Sequence, residues 1–85
     1  MKIKLPAKQI AAEITGWYGA AAILGAYVLV SFNVISSDGI IFQLLNLTGA
    51  MGILIIASYK KVVQSIVLNI IWGAVAIIAI VDIIF

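Results

Sequence analysis

Three side-chain amides, Gln43, Asn46 and Asn69, stand inside long apolar stretches, and Trp72 follows the last of them by about one helical turn. A carboxamide donates and accepts hydrogen bonds without carrying charge. Such a set suits holding an uncharged polar group or joining two helices; it does not suit bond-breaking chemistry. The chain has no histidine and no cysteine, so an imidazole general base, a thiolate nucleophile, a disulfide framework and a zinc site are all out of reach. The three acids, Glu13, Asp38 and Asp82, are scattered along the chain. No nucleophile–base pair or metal constellation assembles from them. The sequence therefore predicts a protein that is not an enzyme and uses no cofactor and no metal.

Composition indicates which elements must position these residues. The 85 residues are 66% hydrophobic and 9% charged, with a mean hydropathy of +1.32. Soluble domains carry about 25% charged residues, because a small sphere has too much surface to leave unsolvated. An ordinary soluble domain and a disordered chain are excluded. A formal net charge of +2, thinly spread, also excludes a phosphate-binding face and hence a nucleic-acid partner. Three apolar stretches, at 14–35, 40–58 and 63–85, follow a basic segment at 1–13. Each is about 20 residues, which at ~1.5 Å per residue matches the ~30 Å hydrocarbon core of a bilayer. The breaks are Ser36-Ser37-Asp38-Gly39, a turn-forming cluster, and Tyr59-Lys60-Lys61. Runs such as Ile77-Ile78 and Ile83-Ile84 favour strands in water. In lipid an open sheet leaves backbone groups unpaired, and three segments cannot close a barrel. The expected fold is all-α: one membrane domain of three transmembrane helices joined by short loops, with the lipid bilayer as its first partner.

Orientation follows from the lysines. Lys2, Lys4 and Lys8 precede the first helix and Lys60-Lys61 lie in the second loop, whereas Asp38 and Asp82 lie on the lysine-free side. The expectation is a multi-pass protein of the bacterial cytoplasmic (inner) membrane, N-terminus cytoplasmic and C-terminus outside. No small-x-small cleavage site ahead of a polar domain follows Ile14 to Val30, so this stretch reads as a helix and not as a removed signal. Pro6 suits the first turn of a helix, which allows Ala7 to Glu13 to extend the first helix along the surface. Trp17 and Tyr18 then form part of an interfacial aromatic belt.

Helical spacing sorts the remaining residues into faces. Gln43, Asn46 and Ala50 share one face of the second helix, and Thr48 and Gly52 lie opposite. Ser65, Asn69, Trp72, Ala76 and Ala79 share one face of the third, with Gly73 at its margin. In the first helix Gly16, Ala20, Ile23 and Tyr27 line one side, and Ala21 and Gly25 the other. Small residues on two faces let a helix approach two neighbours closely. Two roles are open to the amides. They can serve as interhelical bonds, worth about 0.6 kcal/mol each in a membrane protein. They can also line a polar path for a solute, with Asn69 as the first candidate and Trp72, Asn46 and Gln43 after it. The Trp72 ring, near mid-span, supplies a flat apolar wall and an N–H that needs an acceptor. Counting ~1.5 Å per residue from the helix ends separates Asn46 and Asn69 by roughly 12 Å in depth, too far for one compact site. In a parallel dimer, Asn69 of each chain would stand at the same level.

Gly16-Trp17-Tyr18-Gly19-Ala20, Tyr27-Val28-Leu29-Val30-Ser31, Gln43-Leu44-Leu45-Asn46-Leu47-Thr48-Gly49-Ala50, Tyr59-Lys60-Lys61 and Leu68-Asn69-Ile70-Ile71-Trp72 follow one pattern. Over about 14–82 the chain resembles a family of small bacterial three-helix membrane proteins sometimes labelled permeases, a family that lends no activity. More distantly it looks like a SemiSWEET or PQ-loop half-transporter. That likeness implies a three-helix unit pairing as a parallel homodimer to move a small polar solute, with Asn69 matching a solute-facing asparagine. It departs at Leu29-Val30, where those proteins carry a Pro-Gln pair that hinges their first helix, and in a first loop that is acidic instead of basic. Glu13, in Ala12-Glu13-Ile14-Thr15-Gly16, is similar in setting to the carboxylate of small multidrug transporters. Its place five residues after Lys8 makes it an interfacial charge instead. The alternative function is a non-catalytic accessory or structural subunit of a larger complex.

Overall fold

In a computed structural model, which describes residues 5–85, the chain forms α1 (Ala7–Ser31), α2 (Ile40–Lys60) and α3 (Val63–Ile84). Lys2 and Lys4 lie outside the described residues. All three helices are long and apolar enough to cross a membrane, and no strand occurs among the described residues. The β-branched runs are helical, as hydrocarbon demands.

Helix ends follow local chemistry. Ala7 to Ala12 are mostly good helix formers, so α1 begins at Ala7, and Pro6 takes the N-cap position with extended backbone (φ −58, ψ 147). At the other end Asn33 adopts a left-handed conformation (φ 59). The Asn33 N–H donates to the Val30 carbonyl at 3.0 Å and the Val34 N–H to Leu29 at 2.8 Å. This Schellman arrangement closes α1 at Ser31, ahead of the Ile35 at which the apolar stretch ends. Lys61 (φ 57) ends α2 in the same way. Its N–H donates to Ser58 at 3.3 Å, and that of Val62 to Ala57 at 2.9 Å. Between α1 and α2, Gly39 N–H donates to the Ser36 carbonyl at 3.1 Å, and the Ser36 hydroxyl donates to the Asp38 carboxylate.

The second helix is central. α1 and α3 each pack antiparallel against α2, and no Cα of α1 comes within 8 Å of one of α3. The molecule is an open layer with a cleft between its outer helices, not a closed bundle. Lipid tails are as apolar as leucine, so hydrophobic burial does not drive these contacts; close packing does. The seams accordingly consist of small residues. Ala12, Gly16, Gly19, Ala22 and Ala26 of α1 are buried on α2, while in the α2–α3 seam Asn46 lines one space with Ala76 and Ala50 another with Asn69. Backbones touch at Gly19 and Gly49, where a Cβ built on Gly49 would stand 2.9 Å from the Gly19 carbonyl oxygen. Large apolar side chains face outward, Trp17 at 75% and Ile78 at 69% exposed. Two separate small-residue faces on α2 serve two neighbours, as its sequence implies. On α1, Gly16, Ala20 and Ile23 of the expected face line the cavities along Ile53, but only Gly16 is buried, and the buried stripe is Ala12, Gly16, Gly19, Ala22 and Ala26.

Candidate functional site

The amides occupy the α2–α3 seam and its edges. Asn69 is four residues past Ser65, so its side chain reaches back one turn. Its Nδ2 donates to the Ser65 carbonyl oxygen at 2.8 Å and to Ser65 Oγ at 3.3 Å. The bond stays within α3 and joins no second helix. Asn46 is 8% exposed, and its amide makes no side-chain hydrogen bond among the described residues. Gln43, nearer the Asp38 end, donates from Nε2 to the Ser37 carbonyl at 3.4 Å, a long bond tying α2 to the preceding loop. Trp72 is 49% exposed and stands at the edge of the seam.

Three of these four residues share one wall. Gln43, Asn46 and Trp72, with Phe42, Ile71, Val75 and Ala76, line a cavity of about 240 Å³ between α2 and α3. Asn69 lines a different cavity, of about 380 Å³, with Ile23, Ile53, Ser65, Leu68 and, again, Trp72. The indole is therefore common to both, while the two asparagines line separate spaces. No charged side chain lines either cavity. What the arrangement offers is neutral hydrogen bonding beside an aromatic face: recognition of a polar, uncharged group, without acid–base chemistry.

The charges lie at the far end of the cleft. Lys60 Nζ is 3.1 Å from Glu13 Oε1, joining α2 to α1, with both side chains partly solvent-exposed. Sequence reading places Glu13 at the membrane edge but finds no partner for it. A pairing across 47 positions has no local signal. The same holds for Tyr18, whose hydroxyl lies 2.7 Å from Thr48 Oγ1. Thr48 gives its own proton to the Leu44 carbonyl at 2.9 Å, so Tyr18 is the donor and links α1 to α2. Ser65 is the residue that reading could have found, since a hydroxyl one turn before a buried amide is a natural local partner.

A protein-family model matches residues 12–85, nearly the whole of the three-helix unit. No curated protein and no solved structure matches the chain.

Proposed function

We propose, for a chain that belongs to the family matched over residues 12–85, that this small membrane protein acts as a half-transporter-like homodimer passing a small polar solute across the bilayer. The observation that carries this reading is Asn46, a residue 8% exposed that lines a cavity of about 240 Å³ and makes no side-chain hydrogen bond among the described residues. No buried side-chain N or O atom lacks a partner among the described residues, so the Asn46 amide opens onto that space, where a polar guest can pair with it. Gln43 and Trp72 share the cavity, and Asn69 follows on the other side of the indole. An open layer of three helices leaves its cleft unclosed, and transporters are commonly built from paired repeats around a site near mid-membrane. A second copy supplies the missing wall.

The test is uptake of uncharged polar solutes by proteoliposomes. Asn46→Ala and Asn69→Ala are expected to lower the flux at least tenfold while leaving thermal unfolding within a few degrees of wild type. A flux unchanged by both substitutions overturns the reading. An accessory-subunit role has one specific observation in its favour. Ala21 and Gly25 form a small face on α1, and a Cβ added at Gly25 meets nothing within 4 Å, which leaves room for a partner's helix. On that reading the asparagine variants lose stability and no flux exists to lose.

A further inference from the structure

We propose that the cleft between α1 and α3 binds one anionic phospholipid, its phosphate at Lys60 and one acyl chain lying along Ile53 as far as Trp72. Three contiguous cavities define the cleft. One of about 360 Å³ lies between α1 and α2 at Glu13, Trp17, Ala20 and Lys60. A second of about 240 Å³ lies at Lys60, Val62 and Ser65, and the third is the space of about 380 Å³ that ends at Trp72. Ile53 is on the floor of all three, and Lys60 stands at the mouth of the first two.

Charge, length and polarity fit the same ligand. At this end the described chain carries Lys8, Lys60 and Lys61 against the single carboxylate Glu13. The Glu13–Lys60 pair leaves an uncompensated positive field that one phosphate complements. From Val62 to Trp72 the helix advances about 15 Å, half of the ~30 Å hydrocarbon core. The three cavities together therefore run one leaflet deep, from Lys60 to Trp72, a length that suits an acyl chain. Ser65 lies about 4.5 Å past Val62 along the helix axis, the depth of a glycerol ester. Its hydroxyl accepts from Asn69 and donates to nothing among the described residues, so its proton is free for an ester carbonyl. Past that point Ile23, Ile53 and Leu68 supply apolar surface, and the Asn69 amide beside them is turned back onto Ser65.

Native mass spectrometry of the full chain, delipidated in detergent and mixed with equal amounts of a palmitoyl-oleoyl phosphatidylglycerol and the matching phosphatidylcholine, tests this. The expected result is one retained phosphatidylglycerol per chain, favoured at least tenfold. Lys61→Gln, which spares the Glu13–Lys60 pair, should lower that preference several-fold, and Lys60→Gln with Lys61→Gln should abolish it. Ala20→Trp, at an exposed cleft-wall position, should fill the slot and remove retention of both lipids while leaving helix content unchanged. Equal retention of the two lipids by the wild-type chain overturns the proposal. So does undiminished phosphatidylglycerol binding by Ala20→Trp, or full displacement by millimolar inorganic phosphate, because either means that the lysines hold a phosphate without the cleft. No flux is measured, so failure here leaves the transport reading standing, and the reverse is equally true.

Discussion

Asn33 and Lys61 both hold a left-handed backbone, but they differ in how readily they do so. Asparagine visits this region with local side-chain help, whereas lysine incurs the full Cβ clash, about 1–2 kcal/mol. Lys61→Gly is therefore expected to stabilise the protein by about 1 kcal/mol, read as a higher midpoint in detergent-based unfolding. Asn33→Gly should change it by a few tenths at most. An unchanged or lowered midpoint for Lys61→Gly would mean that the lysine's interfacial charge outweighs its backbone strain. The candidate site was partly legible at this scale. The residue types of Gln43, Asn46, Asn69 and Trp72 could be singled out because lipid should reject them. Their partners could not. That Asn69 bonds back to Ser65 while the Asn46 side chain makes no hydrogen bond among the described residues depends on side-chain directions that residue type and spacing leave open.

At the scale of the helix, spacing separates faces but does not say which face finds a partner. On α2 it suffices: Asn46 and Ala50 share one side and Gly52 another, and each side is occupied. On α1 it does not, because small residues go nearly all the way round, from Gly16, Gly19 and Ala22 through Ala20 and Ala21 to Gly25. Only the approach of α2 decides among them. The consequence is a contrast between glycines of the same composition and helical setting. Gly49→Ala would place a methyl 2.9 Å from the Gly19 carbonyl oxygen and 2.7 Å from Ile23 Cγ1, forcing α1 and α2 apart at a cost of about 1–3 kcal/mol. Gly25→Ala meets nothing within 4 Å and should be neutral or gain up to about 1 kcal/mol from helix propensity. Thermal unfolding of the two variants side by side checks this; equal loss in both would mean that the Gly19–Gly49 contact is not the seam.

For the whole molecule, three antiparallel helices of spanning length put the start of α1 and the end of α3 on opposite sides, and from the excess of lysines we propose that the Lys60 end faces the cytoplasm. The absence of cysteine makes a clean experiment of this. In spheroplasts, Asp38→Cys is expected to react with a membrane-impermeant maleimide, and Tyr59→Cys to be labelled only after lysis. The reverse pattern would show that the acidic first loop, and not the lysines, faces the cytoplasm.

What the sequence determined by itself is the kind, number and approximate extent of the elements. Backbone polar groups in hydrocarbon must be paired within each segment, so every apolar stretch of spanning length becomes a helix whatever its neighbours do. Which helix is central, which stripe of α1 is buried, and which space each amide lines were decided by tertiary structure. Those outcomes rest on two backbones closing to contact at Gly19 and Gly49, segments thirty residues apart. Contact of that kind is a property of the pair and is carried by neither helix alone.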